Sequence, residues 1–233
     1  MEITWLGHAC FRLKAKQGTV VTDPFSKEIG LSLPRMQADI VTVSHEHLGH
    51  NQTTAVGGGP RLIIGPGEYE IKNIFITGIA AYHDAEQGKS RGKVTIYMIE
   101  MEDLVVCHLG DLGHVPTQEQ IEAIGHVDIL LAPVGGGSSL NASQAAEVVS
   151  LLEPRAVIPM HYHTTGLATA LDPLTRFLKE MGARSDPQRN AVHPALRVEE
   201  AEPGQPYLEM ARPAAVAAAP EPPVVWTCRL KKS

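Results

Sequence analysis

The chain has 233 residues, 43% of them apolar and 20% charged, the balance of a globular protein with a sizeable core. A formal net charge of −6 gives no basic footprint for nucleic acid, and no apolar stretch is long enough to span a bilayer, so neither a nucleic-acid nor a membrane partner is expected. The three cysteines, Cys10, Cys107 and Cys228, are odd in number and widely spaced, which argues against a disulfide framework or a Cys-x-x-Cys site. That usage fits a reducing compartment, and the first residues carry neither the basic nor the apolar region of a signal peptide; a cytoplasmic location is the expectation. The length suits one large α/β domain, read here as residues 1–210 followed by an Ala/Pro-rich tail over 211–233.

The first half is strand-like. Residues 3–6, 9–13, 19–22, 38–43, 61–64, 74–81, 93–100 and 104–108 are short extended segments separated by Gly, Pro and charged breaks. Gly65-Pro66-Gly67 and Glu102-Asp103 read as turns between them. From Asp111 onward helix and strand alternate. Thr117 and Gln120 have the spacing of a capping box, opening a helix that ends near Gly125. A buried strand over 129–132 follows, then a helix capped by Asn141 and Gln144 that runs to about Leu152 and stops before Pro154. A strand over 156–160 and a helix over 171–181, closed by Gly182, complete the regular part. Beyond it, 196–199 and 207–210 read as short strands, and 224–228 is apolar enough to dock on the domain or on a second copy of the chain in a homo-oligomer. Strands first and alternation later predict sheets covered by helices.

The sharpest local feature is His45-Glu46-His47-Leu48-Gly49-His50, directly behind the β-branched run Ile40-Val41-Thr42-Val43-Ser44. A buried strand that releases three histidines in six residues puts several imidazoles at one sheet edge, and neutral imidazole is a good ligand for zinc and similar cations. Three further strand ends carry comparable groups. They are His83 after 79–82, Asp111 after Gly110, and His161 and His163 after 157–160. Taken singly, His83 reads first as a surface turn histidine, while Asp111 and the pair His161 and His163 read equally as loop or core-edge residues. Four strand ends bearing imidazole or carboxylate point together to one shared rim.

In that order, His-x-His-x-x-His, a lone His, Gly-Asp and Pro-Met-His-Tyr, the motifs resemble the metallo-β-lactamase superfamily over residues 1–182. Leu6-Gly7-His8, Thr22-Asp23-Pro24-Phe25 and Ile158-Pro159-Met160-His161-Tyr162 are similar to the branch that includes L-ascorbate-6-phosphate lactonases and other metal-dependent hydrolases. The resemblance implies an α/β fold, a four-layer αββα sandwich. It also implies a divalent metal, zinc first with manganese or iron as alternatives, in one or two ions. His45, His47 and His83 would bind the first metal, and His50 and His161 the second. Asp111 would bridge both, with His50 and Asp111 at the catalytic centre. Asp23 would orient a ligand imidazole, and His8 would do likewise or face the substrate.

One position departs from the family pattern His-x-His-x-Asp-His: Gly49 stands where the second metal's aspartate belongs. Glycine offers no anionic oxygen, so the second site is expected to be weak unless another group replaces it. Glu46 faces away in the usual reading of the motif, which leaves His114 and His163 as the nearest substitutes or as plain rim residues. The expected activity is hydrolysis of a small ester, lactone or phosphorylated substrate by metal-activated water. The alternative is a degenerate member with one metal or none that binds or regulates. Gly135-Gly136-Gly137-Ser138-Ser139 is neither a nucleophile elbow nor a phosphate loop and is read as a flexible loop at the metal rim. Arg91, Lys93 and Arg176 are candidate contacts for an anionic substrate, with 86–93 as a lid.

Overall fold

The computed structural model of the protein describes residues 1–182 and the strand 224–227. Its first sheet is built from β1 (Glu2–Gly7), β2 (Cys10–Lys14), β3 (Thr19–Thr22), β5 (Ile40–Val43) and β7 (Arg61–Ile64), while β4 (Met36–Gln37) and β6 (Val56–Gly57) pair separately. The second sheet is built from β8 (Gly67–Ile71), β9 (Ile74–Tyr82), β10 (Lys93–Met101), β11 (Leu104–His108), β12 (Ile129–Pro133) and β13 (Ala156–Met160). β14 (Val224–Thr227) closes the first sheet, whose order is β14-β1-β2-β3-β5-β7; the second runs β13-β12-β11-β10-β9-β8.

Period-two alternation sorts side chains to the two faces of each sheet. Phe11, Leu13, Val20 and Ile40 point inward and meet Tyr97, Ile99, Val106, Leu131 and Ile158 of the second sheet in one buried cluster. Their neighbours Cys10, Val21 and Val41 point outward onto Phe25, Ile29 and Leu167, so loops and a 3-10 turn at Lys27–Ile29 cover that side. On the other side Ile96, Cys107, Leu130 and Val157 carry Val148, Val149 and Phe177 of the helices. The result is an α/β sandwich of the metallo-β-lactamase type. Tyr97 pins the two sheets together. Its ring is fully buried, and its hydroxyl donates to the Val43 carbonyl (2.9 Å) while accepting the Gly65 N–H (3.0 Å).

The expected helices form where their caps predict. α1 (Gln118–Ile124) and α2 (Ala142–Leu152) both open with reciprocal capping boxes, at Thr117/Gln120 and Asn141/Gln144. They serve as crossovers between the parallel strands β11, β12 and β13. α3 (Leu174–Glu180) starts later than 171 because Pro173 is the N-cap, and the residue before a proline is kept out of helical backbone. β8 has no counterpart in the sequence reading. Gly67 belongs to a turn signal and Glu68 and Glu70 are poor strand formers, yet Tyr69 and Ile71 pack on the core from this charged edge. The stretch 224–228 contributes β14, antiparallel to β1 with Trp226 opposite Ile3. The strands read at 196–199 and 207–210 lie outside the described residues.

Candidate metal centre

Strand ends deliver the site. His8 sits in the turn after β1, Asp23 follows β3, and Ser44 to His50 follow β5. His83, Asp111 and His161 come directly after β9, in the turn after β11, and after β13. Three of these residues, His8 (φ 52°), Asp23 (φ 40°) and His161 (φ 51°), have left-handed backbone. Such conformations are uncommon outside glycine and cluster at functional sites. Close backbone approach is also required at Gly110 (φ 59°), where a Cβ would lie 2.6 Å from the Cβ of Ser44.

The six residues expected to hold metal converge. Asp111 is central and buried, its Oδ2 3.2 Å from His83 Nε2 and 3.9 Å from His50 Nε2, its Oδ1 3.4 Å from His161 Nε2. Ligating atoms of His45, His83 and Asp111 lie within 4.8 Å of one another, as do those of His45, His47 and His50. Two donors that share one tetrahedral zinc at ordinary bond lengths stand about 3.4 Å apart, so the Asp111 contacts have the right scale.

The outward nitrogens are engaged, which fixes how the rings face. His83 Nδ1 meets the Asp111 carbonyl at 2.6 Å, and His50 Nδ1 meets Asp23 Oδ2 at 2.8 Å. His45 Nδ1 contacts Ser44 Oγ at 3.1 Å, and His161 Nδ1 contacts Ser139 Oγ at 3.2 Å. Asp23 in turn accepts the Ser44 N–H at 2.7 Å. Ligand imidazoles are characteristically oriented in this way through the second nitrogen. What remains points inward. Nε2 of His45, Nε2 of His50 and Oδ1 of Asp111 are buried with no hydrogen-bond partner. Buried polar atoms left unpaired are costly, and bound cations would satisfy them. His47 is the exposed member, and its Nδ1 accepts the Gly49 N–H at 3.2 Å.

The electrostatics match the ligand form. Burial first, then the neighbouring imidazoles, lowers His45 to about 3, and burial lowers His161 to about 4, so both rings are neutral at pH 7. Burial opposes ionisation of Asp111, but the charges of His161, His50 and His83 outweigh it and hold the carboxyl far below its usual range. His50 runs the other way. Burial works against its protonation, but the hydrogen bond and charge of Asp23 prevail and raise its pKa.

Several expectations are corrected by contacts. His114 does not join the cluster, because its Nδ1 meets the Val115 carbonyl (2.8 Å) and its Nε2 accepts the Tyr82 N–H (3.3 Å). His163 is exposed, in keeping with its reading as a rim residue, and Glu46 is exposed as expected. Arg176 is paired with Asp172 at 2.7 Å. The 86–93 loop is knitted by Asp84, whose two carboxylate oxygens accept the N–H groups of Glu86, Gly88, Ser90 and Arg91. Ser138 and Ser139, in the loop read as lying at the metal rim, touch Asp111 Oδ2 (3.1 Å) and His161 Nδ1 (3.2 Å). Sequence reading gave no role to Ser44, whose hydroxyl donates to Asp23, because a lone serine beside a motif gives no pattern to find.

Comparison with known proteins shows the family to which the chain belongs. A family model described as a beta-lactamase superfamily domain matches residues 2–161. A UPF0173 protein of Pyrococcus abyssi is 31% identical over 193 residues, covering 73% of this chain and 87% of its own. A UPF0173 metal-dependent hydrolase of Thermoplasma acidophilum is 30% identical over 200 residues, covering 74% and 88%. Among solved structures, a Thermotoga maritima protein described as a candidate zinc-dependent hydrolase of the metallo-β-lactamase superfamily has 43% identity and a TM-score of 0.65, covering 76% of this chain and 84% of that one.

Proposed function

The chain belongs to the metallo-β-lactamase superfamily, and from that premise we propose that it is a metal-dependent hydrolase acting on a small ester, lactone or phosphorylated molecule. The observation that carries the reading is the set of buried atoms without a hydrogen-bond partner, Nε2 of His45, Nε2 of His50 and Oδ1 of Asp111. The names of the relatives support it, since several are called metal-dependent hydrolases.

His45, His47 and His83 would hold one divalent ion with Asp111, and His50 and His161 would contribute to a second. Zinc is the metal favoured by a donor set this rich in nitrogen. An ion held there lowers the pKa of water from about 16 toward 7 and stabilises negative charge on the attacked group. The chain's own residues set the geometry. Asp111 is an ionised anchor rather than a proton acceptor, because the imidazoles around it hold its pKa down. Ser138 fixes one of its oxygens, which sets the Gly135–Ser139 loop beside the anchor. Ser139 and Asp23 hold His161 and His50 in register.

Elemental analysis of protein purified without added metal, paired with assays on lactone, carboxylester and phosphodiester panels, tests the reading. Bound metal with chelator-sensitive turnover of one panel is expected; a metal-free, inactive protein that takes up no zinc overturns it. A second reading, a binding or regulatory member, draws on Gly49, the missing aspartate.

A further inference from the structure

The place left by that aspartate is filled. A Cβ built on Gly49 would lie 2.8 Å from Nε2 and 3.2 Å from Cδ2 of His8, and 3.3 Å from Nδ1 of His47. The volume a side chain at position 49 would enter is therefore taken by the His8 ring. With His8 in this position, any side chain at 49 would have to displace its ring.

The His8 ring is aimed at the second site. Its centroid lies 4.2 Å from that of His161 and 5.0 Å from that of His50. One nitrogen from each of His8, His50 and His161 falls within 4.8 Å of the other two, and all three residues are buried. Its Nδ1 is buried without a hydrogen-bond partner, as is Nε2 of His50. His108 shows what a structural histidine looks like in this protein. It is equally buried, but its Nε2 meets the Ala9 carbonyl at 2.9 Å and its Nδ1 accepts the Gly110 N–H at 3.3 Å. His8 is held by its backbone instead. Its carbonyl accepts Trp5 Nε1–H at 3.1 Å and the His161 N–H at 3.0 Å, while Phe25 stands edge-on to the ring. A backbone clamped in the left-handed region with an unpaired ring nitrogen describes a donor waiting for an acceptor.

We propose that His8 is a ligand of the second metal, replacing the oxygen that Gly49 cannot supply, so that His8, His50 and His161 with a shared Asp111 form a complete site. The inference rests on the hydrolase reading for the existence of a metal centre. Exchanging a carboxylate for an imidazole removes one negative charge and one hard donor. The second site should therefore favour zinc, cobalt or nickel over manganese, since imidazole suits the former and carboxylate the latter.

The test is zinc stoichiometry by equilibrium dialysis and elemental analysis, with cobalt absorption spectra as a coordination readout, on native protein, His8→Ala, His8→Gln and the double variant His8→Ala/Gly49→Asp. Native protein is expected to hold two zinc ions. The two single variants should keep the first ion, which also reports that they fold, and bind the second at least about 100-fold more weakly, the upper end of what loss of even an outer partner costs. In the double variant the aspartate enters the space the imidazole vacates, and the second ion should return. Two tight ions in both single variants, or a single ion in native protein, would overturn the His8 assignment and leave the hydrolase reading standing. Loss of the second ion without recovery in the double variant would reduce His8 to a positioning residue and overturn it as well. No zinc in native protein would overturn both readings.

Discussion

Nδ1 of His50 lies 2.8 Å from Oδ2 of Asp23, and neither side chain has contact with solvent. Asp23 is otherwise committed to Ser44, through the backbone N–H at 2.7 Å and the hydroxyl. The carboxylate thereby ties the end of β5 to the ring that follows it and sets which His50 nitrogen faces Asp111.

Asp23→Asn keeps the size of the side chain and removes its charge. Affinity for the second metal is expected to fall about 10–100-fold, the usual effect of losing a ligand's outer partner, with the first ion retained. Competition titration with a chromophoric chelator reads both constants.

The same pair gives the second site its own pH dependence. Because Asp23 raises the pKa of His50, its proton competes with metal at higher pH than an ordinary imidazole's would, whereas His45 and His161, lowered to about 3 and about 4, do not compete until far more acidic. Acidification is expected to release the second zinc before the first, and dialysis at a series of pH values will show one ion leaving ahead of the other.

Metal-free protein should lose stability in acid. A histidine whose folded pKa lies below 6.5 binds its proton more readily when unfolded, so its contribution is intact above pH 6.5 and declines as pH falls toward the folded value. His45, His161 and His8, the last lowered to about 2 by burial and then by His161 and His50, all act in this sense. Asp111 and Asp23, held below their usual range, add to the loss below about pH 4. His50 has the opposite sign and is outnumbered. The urea midpoint of chelator-treated protein is expected to drop steadily from pH 7 to pH 4.5, and a flat profile would contradict these shifts.

Tyr97→Phe removes the hydroxyl that joins the sheets and leaves the Val43 carbonyl and Gly65 N–H without it. Unpaired buried groups of this kind cost about 1–3 kcal/mol, so a loss of that size in urea unfolding is expected while zinc binding is unchanged.

Much of the site was legible because it is written locally. The strand 40–43 and its histidines, Asp111 after Gly110 and His161 after Met160 are each a short apolar run followed by a polar break, and all six expected ligands meet in space. The caps at Thr117 and Asn141 were equally local. What the sequence did not disclose depends on distance in the chain. Gly49 reads as a lost ligand until its Cβ position is seen against His8, which lies 41 residues upstream in the turn after β1. His114 reads as a spare ligand until both its nitrogens are found in backbone contacts. β8 is sustained by pairing with β9 rather than by its own composition, so no window of sequence announces it.

The first sheet starts with the last of the described strands, since β14 lies beside β1. On a ribosome adding about 5–20 residues per second, β1 and β2 would be outside for some tens of seconds, on the order of ten to forty, before residue 227 emerged. Throughout that interval the backbone of Glu2 to Trp5 has one edge open to pairing with any passing strand, a nascent neighbour on the same message included. Synthesis rate, and the chaperones that shield such an edge, therefore bear on how much correctly assembled protein a cell obtains.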